Sequence, residues 1–88
     1  MMARAVQFSV PSWYHYHLWH GSDSKIFRKV TGLINECCRN PFKGTGKPEP
    51  LKYEKAWSRR IDEKNRFVYS VTDGLLLIIS CRGHYGDK

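Results

Sequence analysis

The stretch RFVYSVTDGLLLIISCR, residues 66–82, constrains this chain more than any other. Two runs of β-branched, aromatic and aliphatic residues flank an Asp-Gly pair, the pattern of a β-hairpin. Its register follows from which residues must share a face. With Asp73-Gly74 as a two-residue loop, Thr72 would face Leu75, Phe67 would face Ser80 and Tyr69 would face Ile78, mixing polar and apolar side chains on both sides. A three-residue Thr72-Asp73-Gly74 loop, with Gly74 left-handed in a bulge, puts Val71 opposite Leu75, Tyr69 opposite Leu77 and Phe67 opposite Ile79. One face then reads Phe67, Tyr69, Val71, Leu75, Leu77, Ile79 and Cys81; the other reads Arg66, Val68, Ser70, Leu76, Ile78, Ser80, Arg82 and His84. A slip of one residue exchanges the faces, so the three-residue loop is expected, with Arg66 opposite Ser80. The apolar face takes helical cover, and Arg66, Arg82 and His84 lie on a basic face left partly open.

The remaining segments supply that cover. RAVQFS (4–9) alternates as a short strand, with Val6 and Phe8 on one side. Pro11-Ser12 opens a helix with the body WYHYHLWH, ended by Gly21; Ser22, Asp23 or Ser24 caps the next. There, Ile26, Val30, Leu33, Ile34 and Cys37 form one apolar stripe, and Asn40-Pro41 stops the helix. Residues 41–56, with three prolines and two glycines, predict an irregular loop, long enough to be functional or disordered. WSRRI (57–61) is a strand, and Asp62 to Asn65 a turn. The fold class is α+β: a small single domain over residues 1–88, in the order β-α-α-β-β-β. Its sheet is antiparallel-rich, with two helices packed on one face.

Composition narrows the function classes. Apolar and aromatic content, 41% and 14%, is that of a globular chain, and no apolar run is long enough to span a membrane. MMARAVQFSV lacks the apolar core of a signal peptide, so a cytoplasmic location is expected. Three cysteines, two of them adjacent, match neither a disulfide framework nor a zinc site, and His15, His17 and His20 read as helix-surface residues. No metal or cofactor is expected. The net charge is +7, and residues 39–66 hold nine basic residues against four acidic ones. Such a concentration suits a polyanion: nucleic acid, or an acidic segment that imitates it.

Several groups can meet on the open sheet face. Arg59 or Arg60 comes from the 57–61 strand, and Arg66, Arg82 and His84 from the hairpin. Glu49 and Lys52 come from KPEPLK, where two prolines restrict the backbone around the carboxylate. A carboxylate, an imidazole and several cations suffice to cleave RNA without a metal: a base takes the 2′-hydroxyl proton, an acid protonates the departing 5′-oxygen, and cations offset phosphoryl charge. Surrounding arginines lower a histidine's pKa, whereas an approaching phosphate raises it. Taken alone, these residues fit a basic module that binds RNA or an acidic peptide better than a nuclease.

The order GKPEPLK, WSRRI, RFVY and CRGHY resembles that of the YoeB-type toxins of the RelE/ParE superfamily. The similarity covers most of residues 6–85, including Trp13 and Trp19 on the first helix, Ile26, Val30, Leu33 and Ile34 on the second, and the Asn40-Pro41-Phe42 turn. The resemblance implies a toxin of a bacterial type II toxin–antitoxin pair that cuts mRNA in the ribosomal A site without a metal. It implies inhibition by a YefM/Phd-type antitoxin and a homodimeric state. By that resemblance Glu49 is the general base, His84 the general acid, and Arg66 the cation at the transition-state phosphate. Tyr85 shapes the site, Lys52 and Arg60 support the scissile phosphate, and Lys47, Arg59 and Arg82 are grouped with them as phosphate-binding cations. Two other outcomes are a ParE-like toxin acting on DNA gyrase and a decayed antitoxin-binding module. This chain departs from the family pattern at Tyr14-His15, where Asp-Asp is usual, and at Tyr53 and Asn65, where histidines are usual. The loop before WSRRI is two residues shorter than the family's, and Gly86-Asp87-Lys88 extend past the usual end.

Overall fold

The computed structural model describes residues 4–52 and 55–83. The sheet has five strands: β1 (Ala5–Phe8), β2 (Glu49–Pro50), β3 (Trp57–Arg60), β4 (Arg66–Val71) and β5 (Leu75–Ser80). Their spatial order is β1-β5-β4-β3-β2, antiparallel except that β1 runs parallel to β5. Helices α1 (Val10–Ser22) and α2 (Ser24–Arg39) lie between β1 and β2 in the chain. The expected α+β class holds. The two-residue strand β2 was not expected. Glu49-Pro50 pairs with Ser58 and Trp57 at the sheet edge, one of the few places where a proline, lacking an N–H, can join a strand.

The helix boundaries follow their caps. Ser9 caps α1 by accepting the Ser12 N–H, and Pro11 sits where no intrahelical donor is needed. Asp23 ends α1 and begins α2; its Oδ1 accepts the N–H groups of Lys25 and Ile26. Helix α2 buries Val30, Leu33, Ile34, Cys37 and Cys38 against Phe67, Tyr69, Leu76, Ile78 and Cys81. Phe8, Tyr16, Trp19 and Ile26 pack around that core. Helix α1 is different: its buried residue is Ser12.

The hairpin register corrects the sequence expectation. The Thr72 N–H donates to the Leu75 carbonyl at 2.9 Å, so the loop is the two-residue Asp73-Gly74 form, and Gly74 is not in the left-handed region. Val71 faces Leu76, Ser70 faces Leu77 and Tyr69 faces Ile78; a bulge follows, after which Val68 faces Ser80. Leu76 and Ile78 therefore point into the core, and Leu75 and Leu77 to the other side. Ile79 is the extra residue of the bulge. It brings Cys81 back to the core face, where the expectation had put it. Arg66 does not face Ser80; its N–H donates to the Gly83 carbonyl. A uniform register could satisfy one half of the hairpin only, and the bulge satisfies both.

Candidate active site on the open sheet face

Directly opposed residues in a sheet share a face, so the pairings define the side away from the helices. Glu49 faces Ser58, Ser58 faces Val68, and Val68 faces Ser80, a row running across four strands. One step along, Arg60 faces Arg66. Glu49 and Arg60 are exposed, and Arg66 is half-buried. Val68 and Ser58 between them are buried at 1% and 7%, so the charged groups stand around a covered floor. The opposite face carries Arg59, Phe67 and Tyr69 beneath the helices.

Among the described site residues, Arg66 is held by the turn that precedes it. The Arg66 guanidinium donates through Nη1 to the carbonyls of Asp62, at 2.7 Å, and Asn65, at 3.1 Å, which fixes its stem against the preceding turn. That turn is held by Asp62, whose Oδ1 accepts the N–H groups of Lys64 and Asn65 and a bond from the Asn65 amide. Burial pushes the Asp62 carboxyl upward, but these donors outweigh it and the net shift is downward. The Asn65 Oδ1 in turn accepts the Gly83 N–H at 2.8 Å. The turn thus fastens the chain just past β5 to the start of β4. Arg82 and Lys47 are exposed, Lys47 with a positive φ of 54°, and Lys52 is exposed at the end of the β2 segment. His84 and Tyr85 lie outside the described residues.

Arg59 corrects the expectation that it offers a charge to phosphate. It is fully buried, because the alternation of β3 turns it under the helices while Arg60 faces out. Its guanidinium pairs with the Glu36 carboxylate and donates to the carbonyls of Thr45, Asn40 and Lys43. Its Nε donates to the Tyr69 hydroxyl, which donates in turn to the Pro41 carbonyl. Burial pushes the Tyr69 phenol up to about 12, more than Arg59 offsets, so it remains a donor at neutral pH. Burial raises the Glu36 carboxyl, but bonds from the Thr45 N–H, Arg59 and the Thr45 hydroxyl leave it below its ordinary value. Glu36 was not singled out in the sequence, where it is one polar residue on the wet side of a helix. The task of Arg59 is to hold residues 40–45 in shape.

That loop delivers Glu49. Its second anchor is the Gly46 carbonyl, which accepts the Arg60 N–H at 2.7 Å. Gly46 has φ +84°, and a Cβ there would lie 2.8 Å from the Arg60 carbonyl oxygen. Gly46→Ala is therefore expected to destabilise the protein by about 1–3 kcal/mol through backbone strain and the displaced contact, measured by urea unfolding. A stability equal to wild type would show that this loop yields freely.

A profile of the YoeB-like toxin of bacterial type II toxin–antitoxin systems matches residues 8–85. This chain belongs to that family. Toxin YoeB of Escherichia coli is 50% identical over 80 residues, spanning 89% of this chain and 95% of that protein. The solved YoeB dimer of Staphylococcus aureus superposes with a TM-score of 0.89 at 34% identity, covering 96% of this chain and all of that one. The Staphylococcus aureus YoeB–YefM complex superposes at 0.85 with 33% identity, over 96% of this chain and all of that one. The fold of this YoeB-like toxin is therefore the family's, and the charged face sits on an architecture shared with those solved structures. Among the described residues no cluster of histidine, cysteine, aspartate or glutamate could hold a metal, and no helix is long and apolar enough to cross a membrane.

Proposed function

We propose that this YoeB-like toxin is a metal-independent endoribonuclease that enters the bacterial ribosome and cuts mRNA in the A site. The observation that carries the reading is the single sheet face on which Glu49, Arg60 and Arg66 stand, a carboxylate and two guanidinium groups around a covered floor. Glu49 takes the proton of a ribose 2′-hydroxyl. The oxygen attacks the adjacent phosphorus, the bond to the 5′-oxygen breaks, and His84 supplies the proton that oxygen needs. The product ends in a 2′,3′-cyclic phosphate, so no external water enters the first step. Arg66 offsets the charge that builds on the phosphoryl oxygens, and Lys47, Lys52, Arg60 and Arg82 hold the flanking phosphates. Tyr85 offers a ring on which a splayed base can stack. Because the attack needs a 2′-hydroxyl, DNA is not cut.

By likeness to the Staphylococcus aureus proteins, this toxin binds a YefM-type antitoxin and forms a homodimer. Val10, Trp13 and Tyr14 leave an apolar strip of α1 exposed, and Phe42 is half exposed beyond α2, surfaces suited to such partners. A ribosomal target sets its place of action in the bacterial cytoplasm.

The test is cleavage of mRNA on programmed ribosomes, mapped by primer extension, with free mRNA alongside. Wild type is expected to give ribosome-dependent cuts that Arg66→Ala and His84→Ala each lose by about 100-fold or more. A folded, antitoxin-binding wild type that cuts nothing would overturn the reading and favour a gyrase-directed or decayed toxin.

A further inference from the structure

Helix α1 presents a polar stripe to β5 where an apolar one would be expected. Ser9, Ser12, His15 and Trp19 recur at intervals of three and four, on one helical face. Each meets backbone near the bulge. The Ser9 hydroxyl donates to the Ile79 carbonyl at 2.8 Å, and the Ser12 hydroxyl to the Ile78 carbonyl at 2.7 Å. The Cys81 N–H donates to His15 Nδ1 at 3.3 Å, and Trp19 Nε1–H donates to the Cys81 carbonyl at 2.8 Å. The Ile78 carbonyl also accepts the Ser9 N–H at 2.9 Å, and the α1 side chains add partners along the bulge and the strand end. On the far side, Asn65 and the Arg66 backbone bind Gly83. Residues 78–83 are thus held between α1 and the 62–65 turn, and His84 is the next residue.

We infer that His15 is a positioning residue for the segment that carries His84: its neutral ring accepts the Cys81 N–H, and protonation of the ring releases that peptide. The inference rests on the proposed role of His84. An imidazole accepts at Nδ1 only while the proton sits on Nε2; the imidazolium has two donors and no acceptor, so the contact turns from attractive to repulsive. Burial, then the charge of Arg82, lowers the His15 pKa, and both keep the ring neutral. The Cys81 thiol, pushed up to about 12 by burial, stays uncharged beside it. On the helix itself, His17 and His20 turn away to Trp13 and Phe27. Because the folded pKa lies below the ordinary 6.5, the bond is complete above that value and is lost as the pH falls through the folded one.

The experiment compares wild type with His15→Asn, which keeps an acceptor without titrating, and His15→Leu, which keeps bulk without an acceptor. Ring nitrogen shifts and Cys81 amide protection are read by NMR across pH, and ribosomal mRNA cleavage is measured over the same range. Wild type is expected to show an unprotonated Nδ1 near neutrality and to lose Cys81 protection as the ring titrates. His15→Asn should hold its protection through that range and cleave within about twofold of wild type at neutral pH. His15→Leu should cleave about 10–100-fold more slowly at every pH while still binding antitoxin, the cost of misplacing a reacting group. Cys81 protection indifferent to the ring's titration, or His15→Leu cleaving like wild type, would overturn the inference. A wild type that cuts no RNA would remove the nuclease reading alone, since amide protection reads the His15 contact without it.

Discussion

Replacing Arg59 with alanine is expected to destabilise the protein by about 3–5 kcal/mol, while Arg60→Ala, one residue along, changes stability by no more than about 0.5 kcal/mol. The contrast follows from strand alternation. Arg59 is fully buried, and its donors hold Glu36, the Tyr69 hydroxyl and three loop carbonyls. Removing it opens a cavity under the helices and strips those acceptors of their partner together. Arg60 points outward, and the bond its backbone makes to Gly46 survives truncation of the side chain. Urea unfolding of the two variants reads the difference directly. The same network sets an acid limit. The Glu36 carboxyl lies below its ordinary value of 4.5, so its contribution is complete above that pH and fades as the pH falls through the folded value. Glu36→Gln should flatten that part of the stability profile. Equal, small losses for Arg59→Ala and Arg60→Ala would show that the loop is held by something other than this guanidinium.

Glu49→Gln is expected to lower ribosomal mRNA cleavage by about 10²–10⁴-fold with little change in stability. The carboxylate is exposed on an edge strand two residues long, and among the described residues it makes no hydrogen bond or ion pair. The substitution preserves shape and removes basicity, which makes it a cleaner probe than alanine. Antitoxin binding and the unfolding midpoint serve as controls, and both should match wild type. Cleavage within a few-fold of wild type, alongside a dead Arg66→Ala, would strip Glu49 of the base role and leave phosphate stabilisation as the main catalytic effect. Combining Glu49→Gln with Gly46→Ala tests whether the loop acts through Glu49: if it does, the second change adds little to the loss of the first.

Local pattern carried a great deal of this fold, and long-range geometry carried the rest. The α2 stripe, a cap among Ser22, Asp23 and Ser24, and the stop at Asn40-Pro41 were legible because each depends on neighbours three or four residues away. The hairpin was legible as a hairpin, yet its register was not. A bulge is specified by what it satisfies across space, here the Ser9 and Ser12 hydroxyls and the return of Cys81 to the core. The Glu49, Arg60 and Arg66 face was foreseen in part, since one-face logic fixed Arg66 but left Arg59 and Arg60 as alternatives. Phase decides between them, and phase is set by the pairings of Arg59 with Phe67 and Arg60 with Arg66. Glu36 went unread and His15 was read as a helix-surface residue, because each looks solvated until its partner arrives from 23 or 66 positions away.

The parallel pairing of β1 with β5 makes the order of synthesis matter. Ala5 lies beside Leu75 and Phe8 beside Ile78, so the first strand made has no sheet neighbour until the last has left the ribosome. The core that α2 covers is built largely from β4 and β5, which also come late. At about 5–20 residues per second, the nascent chain spends several seconds as helices without a sheet to rest on. A charged face assembled from β2, β3 and β4 therefore exists only once β4 has emerged. Under the proposed function, the RNA-cutting face cannot form before β4 has been made.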